Sequence, residues 1–273
     1  MFNIDKTKIQ YWFRNIDDIF ADFKGNALDY ADKTKRRIFI DNQSDVLFVA
    51  HLDTVLPPKI HKQTKKRIYA QGLDDRLGCL IAYQLSVELK ADLLLTDNEE
   101  SGQTTAQYHD CKEYNWVCEF DRAGSDVVTY GIDNADFLQA IKKSWKVGLG
   151  SYSDICELKT DAACVNIGIG YEYAHSKNSY ADKKTIKKQI AKFKRFYQDN
   201  HKIKYVRDVP YRQRIIYDDY WTGYDQDDIF DRWSNADICD VCGCQTGHRV
   251  YEYYICRDCL TYFVESQQAN VDW

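Results

Sequence analysis

Residues 45–53 read Asp-Val-Leu-Phe-Val-Ala-His-Leu-Asp, an unbroken apolar run that ends at His51. A short run rich in Val and Phe, without polar alternation, predicts a strand covered on both faces. Three further runs end in the same manner. Leu93-Leu94-Leu95-Thr96 precedes Glu99 and Glu100, Trp116-Val117-Cys118-Glu119-Phe120 precedes Asp121, and Cys164-Val165-Asn166-Ile167-Gly168-Ile169 precedes the loop that carries His175. Such runs predict an α/β fold, a mixed, mostly parallel sheet flanked by helices. In sheets of that kind ligands bind outside the carboxyl ends of the strands. Four strands that each deliver His or a carboxylate to one rim are not something core packing requires.

Those residue types point to metal chemistry. Zinc takes His nitrogen and carboxylate oxygen, and a catalytic site keeps one position open. Two metals roughly 3.5–4 Å apart share a bridging carboxylate. Asp74, in Gly72-Leu73-Asp74-Asp75-Arg76, is the candidate bridge. His51 and Asp121 complete one ion, and Glu100 and His175 the other. Glu99 is the candidate general base. Asp53 lies two residues after His51, on the same face of an extended segment, and is placed to hold the second imidazole proton.

The motifs His-Leu-Asp (51–53), Gly-Leu-Asp-Asp-Arg (72–76), Asn-Glu-Glu-Ser-Gly (98–102), Glu-Phe-Asp-Arg (119–122), Tyr-Ser-Asp (152–154) and Asn-Ile-Gly-Ile-Gly-Tyr-Glu-Tyr-Ala-His (166–175) resemble the di-zinc exopeptidase clan. The resemblance covers about residues 1–200. It implies a zinc-peptidase fold, the metal and base assignments above, and a cis peptide after Asp74. Many relatives insert a second domain. Here 22 residues separate His51 from Asp74 and 53 separate Asp121 from His175; neither gap holds one. The chain is most similar to the single-domain branch, and its Asp-Asp-Arg element resembles that of the tetrahedral aminopeptidases. The implied activity is hydrolysis of a terminal peptide bond, with an aminopeptidase preferred over a carboxypeptidase, a dipeptidase or an N-acyl amino acid deacylase. Arg76, Tyr152, Asp154, Tyr171 and Tyr173 are the candidate substrate contacts. A pocket lined by Asp154 or Glu172 favours a free α-amine, and one with Arg76 or Arg122 facing in favours a carboxylate. Zn2+ suits the donors, with Co2+ or Mn2+ as alternatives.

A second motif lies near the C-terminus. Cys239-x2-Cys242 and Cys256-x2-Cys259, 13 residues apart, have zinc-ribbon-like spacing, with Cys244 as an alternate ligand. The intervening segment 248–256 reads as one aromatic-rich strand. A module of this size needs a structural zinc to fold. Its charge balance makes nucleic acid an unlikely partner, so a protein partner or a homo-oligomer is expected there. The expected organisation is therefore a catalytic domain (1–200), an acidic, aromatic-rich connector (201–238) and a zinc-ribbon-like module (239–273). An adaptor with a vestigial hydrolase domain is the alternative of another class.

Composition bounds the rest. The 273 residues are 44% hydrophobic and carry a net charge of -5, which argues against general nucleic-acid affinity. No run reaches the ~18 apolar residues of a membrane span. The N-terminus is too polar for a secretory signal, so the expected location is cytoplasmic. Ten Cys without such a signal predict thiols and metal ligands rather than a disulfide framework. Apolar spacing predicts helices over 5–23, 76–89, 135–145 and 182–197, and a strand over 67–70.

Overall fold

The computed structural model describes residues 6–211, together with 249–250 and 253–254. In chain order the elements are α1 (Lys6–Trp12), α2 (Ile16–Asp22), β1 (Ala27–Leu28), β2 (Arg37–Ile40), β3 (Val46–His51), β4 (Lys59–Gln63), β5 (Arg67–Gln71), α3 (Leu73–Leu89), β6 (Asp92–Thr96), β7 (Trp116–Glu119), β8 (Val127–Val128), α4 (Ala135–Lys142), β9 (Ala163–Ile167), β10 (Tyr171–Glu172), β11 (Tyr180–Asp182) and α5 (Lys183–Asn200). Contacts divide the chain into two units, residues 1–148 with 152–211, and residues 149–151 with 212–273.

The first unit is built on a seven-stranded sheet of order β1-β2-β6-β3-β7-β9-β8. Its centre, β6-β3-β7-β9, is parallel, and β2 and β8 join it antiparallel. The unbroken apolar runs follow from burial on both faces. Val46, Phe48 and Ala50 of β3 enter one core cluster, while Leu47 and Val49 enter another. On the first face Trp116 packs edge-on against Phe193, Phe196 and Tyr197 of α5, and its indole nitrogen donates to the Asn200 carbonyl at 3.0 Å. Burying a ring of this size stabilises the fold by about 1.5–3 kcal/mol. The predicted α/β class and its mostly parallel sheet are what the structure shows.

Two sequence expectations change. The helix expected over 5–23 is two short helices: the first stops at Trp12, and Asn15 starts the second, its side chain accepting the Asp17 N–H at 2.8 Å. Residues 74 and 75 lie within α3 but are not helical (Asp74 φ −82°, ψ 105°), so helical geometry begins at Arg76, as the apolar spacing predicts. The gap between His51 and Asp74 holds β4 and β5, which the reading caught only in part. They form a four-stranded sheet of order β10-β11-β5-β4. In it Tyr180, Ala181 and Asp182 pair with Tyr69, Ile68 and Arg67.

In the second unit β12 (Arg249–Val250) pairs antiparallel with β13 (Tyr253–Tyr254). The segment read as one strand is therefore two. Cys239, Cys242, Cys244, Cys256 and Cys259 lie outside the described residues. Among the described residues the five cysteines form no disulfide, and no helix is long and apolar enough to cross a membrane.

Candidate metal centre

His51 is the last residue of β3, and Asp97–Glu100 follow β6. Asp121 follows β7, and Asp74 lies just ahead of the helical turns of α3, after Gly72, whose φ of +74° makes the turn out of β5. His175 sits in the hairpin between β10 and β11. Pairing of β11 with β5 carries that hairpin to Asp74. The fold thus gathers five segments that are scattered in sequence.

Asp74 stands between two donor sets. Its Oδ1 is 3.3 Å from His51 Nε2, and its Oδ2 is 3.2 Å from His175 Nε2. Asp121 Oδ1 lies 3.4 Å from His51 Nε2, and Glu100 Oε2 lies 2.9 Å from His175 Nε2. Glu99 Oε2 is the farthest from His51 Nε2, at 3.7 Å. Two groups, His51–Glu99–Asp121 and His51–Asp74–Glu100, each bring their donor atoms within 4.8 Å of one another. His51 Nε2, Asp121 Oδ1 and Glu100 Oε1 are buried and make no hydrogen bond. Buried polar atoms are almost always satisfied, so donors left open around one point fit a cation. The Asp74–Asp75 peptide is cis.

Asp53 holds the site from behind. Its Oδ1 is 3.3 Å from His51 Nδ1, and its oxygens accept the Glu99 and Glu100 N–H groups at 3.2 and 2.9 Å. One carboxylate thus orients the imidazole and both glutamates. Asp97 anchors the same loop through a buried ion pair with Arg36 at 2.8 Å.

Burial, with the crowding of acids and imidazoles, sets the proton affinities. Burial, reinforced by Asp121, Asp154 and Glu100, pushes Glu99 up to about 8 against the pull of His51. Burial and Asp74 push Asp121 up to about 7. Asp74 is buried too, yet the neighbouring His175 and His51 imidazoles hold it well below the usual carboxylate range. The Asp74 contact raises His175 to about 9.

The five candidate substrate contacts fare differently. Arg76 is 2% exposed and donates to the Trp12 carbonyl at 2.8 Å; it holds the N-terminal helix and does not face substrate. Asp154 is fully buried, with its two oxygens taken by the Thr96 and Thr104 hydroxyls, so it does not line a pocket. Tyr171 is buried and its hydroxyl donates to the Asp121 carbonyl; it braces a candidate ligand. Tyr152 is half-buried, with its hydroxyl making no hydrogen bond. Tyr173, 66% exposed, lies two residues before His175 and packs on Tyr180. Glu172 is exposed.

Sequence reasoning missed Asp75 and Asn166. Asp75 is fully buried and accepts the His51 and Gly78 N–H groups at 3.3 and 2.9 Å. Asn166 interrupts the apolar strand β9, and that interruption was its available signal.

No family model matches the chain, and no curated protein matches it significantly in sequence. Among solved structures it is similar to the aminopeptidase PepT of Bacillus cereus, with a TM-score of 0.50 and 12% identity, covering 61% of this chain and 84% of that one. It is also similar to a tripeptidase of Staphylococcus aureus (TM-score 0.45, 10% identity, 61% and 84% covered). A third is the TET1 peptidase of Pyrococcus horikoshii, which assembles into a tetrahedron or a large octahedral shell (TM-score 0.48, 12% identity, 68% and 97% covered). The likeness to PepT establishes a peptidase-type α/β fold.

Proposed function

We propose that the protein is a metal-dependent hydrolase that removes N-terminal residues from peptides, an aminopeptidase with a two-zinc centre. The observation that carries this reading is the position of Asp74, whose two oxygens face separate His–carboxylate pairs. A bridging carboxylate needs that arrangement, whereas a solvated acid does not. His51, Asp74 and Asp121 would hold one ion, and His175, Glu100 and Asp74 the other. Zn2+ suits these donors, as do Co2+ and Mn2+. Such ions, when bound, polarise the scissile carbonyl and make water nucleophilic near neutral pH.

The chain's own residues supply the proton traffic. Glu99 takes a proton from the attacking water on its carboxylate and delivers it to the leaving amine nitrogen. Asp53 keeps His51 in the tautomer that presents Nε2.

The preference for a free α-amine rests on charge. Three nearby arginines are already engaged: Arg122 with both Asp126 oxygens at 2.8 and 2.9 Å, Arg36 with Asp97 and Asp17, and Arg76 with Trp12. None of them is available to recognise a substrate carboxylate, which favours the free-amine end of a peptide. We extend the proposal to a third, structural zinc on Cys239, Cys242, Cys256 and Cys259.

The test is zinc content of wild type and Asp74→Ala, with hydrolysis of free-amine and N-blocked peptides. The reading expects about three zinc ions per chain, falling towards one in the variant, and cleavage of free-amine peptides alone. Cleavage of N-acyl amino acids or of C-terminal residues would move the assignment within the same chemistry. Unchanged zinc with no turnover overturns it.

A further inference from the structure

Asn166 is 1% exposed, next to last in β9 and beside Glu119 of β7 in register. A buried amide in an apolar strand costs stability unless its hydrogen bonds are made. Here they are made largely with Asp121. Asn166 Oδ1 accepts the main-chain N–H of Asp121 at 3.1 Å and of Arg122 at 3.0 Å. Those two donors fix the amide orientation, since a flipped side chain would aim N–H at N–H. Its Nδ2 then faces Asp121 Oδ2 at 3.2 Å, Ser153 Oγ at 3.2 Å and the Tyr130 hydroxyl at 3.3 Å. Two hydrogens serve three oxygens, and the carboxylate is the strongest acceptor of the three.

One side chain therefore clamps both the backbone and one carboxylate oxygen of Asp121. The other oxygen, Oδ1, is left without a hydrogen bond, 3.4 Å from His51 Nε2. Asn166 approaches neither Glu100 nor His175 among the contacts it makes.

We propose that Asn166 is a positioning residue that sets the affinity of the His51–Asp121 half of the centre, by fixing which oxygen of Asp121 faces the ion. The inference rests on the two-metal reading above. It is specific to one half: a residue that only supported the fold would act on both.

The experiment is calorimetric titration of Zn2+ into the full-length, chelator-stripped chain, comparing wild type, Asn166→Asp, Asn166→Ser and Asp74→Ala. Binding that survives in Asp74→Ala belongs elsewhere in the chain and is subtracted. Asn166→Asp keeps the acceptor for the two N–H groups but turns the donor towards Asp121 into a second acceptor. Asn166→Ser removes the clamp without adding charge, and it decides the matter if the aspartate variant does not fold. Circular dichroism of the stripped variants checks the fold. We expect one of the two Asp74-dependent zinc ions to bind about 10–100-fold more weakly in both variants, with the other near wild type. Wild-type affinity for both ions overturns the proposal, as does equal weakening of the two. If Asp74→Ala itself binds zinc like wild type, the two-metal reading has failed, and the positioning role fails with it.

Discussion

Gly78, in the first helical turn of α3, has no room for a methyl group. A Cβ built there would lie 1.9 Å from Asp75 Oδ1 and 2.0 Å from the Phe120 carbonyl oxygen. Bringing either contact to even 3.0 Å requires a shift of about 1 Å. Neither neighbour is free to give. Asp75 is fully buried and bonded to the main chain of His51 and of Gly78 itself. Phe120 is 1% exposed, and its N–H donates to the Val49 carbonyl at 3.3 Å. Overpacking of this kind costs about 1–3 kcal/mol, and weakening a hydrogen bond to a buried carboxylate adds about 1.5–3 kcal/mol. Replacing a helical Gly by Ala returns about 1 kcal/mol. Gly78→Ala is therefore expected to destabilise the metal-free protein by about 2–5 kcal/mol, a large share of a domain's usual stability. The same shift displaces the neighbours of Asp74 and Asp121, so zinc affinity falls too. Urea unfolding of the stripped protein, followed by zinc titration, measures both. A variant as stable as wild type, or more stable, as at an exposed helix position, would refute the close-packing argument.

Two other outcomes follow from the same geometry. Glu99→Gln keeps the shape of the side chain but removes the proton acceptor; turnover is expected to drop by about 10²–10⁴ with zinc content unchanged, and loss of zinc in that variant would instead make Glu99 a ligand. Stability of the metal-free protein is expected to fall as pH rises. Glu99 at about 8, Asp121 at about 7 and His175 at about 9 all sit above their ordinary values. Each therefore holds more protons folded than unfolded: the acids between roughly pH 4 and their raised values, the histidine between roughly 6.5 and 9. That stabilisation is complete below the unfolded values and is lost as pH climbs through the folded ones. Zinc competes with those same protons, so the shift in melting temperature on adding zinc is expected to grow over this range. Thermal melts from pH 5 to 9, with and without zinc, check both slopes; a metal-free protein that gains stability towards pH 9 contradicts them.

The sequence alone determined the central strands and the rim they serve. Apolar runs such as 46–50 and 93–95 can be covered only from both sides, and that requirement is local enough to read from residue type. The order of His51, Asp74, Glu99, Glu100, Asp121 and His175 likewise named the candidates. Tertiary structure alone decided which way side chains turn. Arg76 faces Trp12, Asp154 faces two threonines, and Tyr171 faces the Asp121 backbone, because each direction is set by partners 20 or more residues away in sequence. The small sheet is the clearest case. Its strands are two to five residues long, too short to show a period, and β11 meets β5 only after more than 100 residues of intervening chain. Yet that pairing brings His175 to Asp74. The sequence supplied the donors, and the cross-sheet hydrogen bonds that no local pattern encodes placed them around one point.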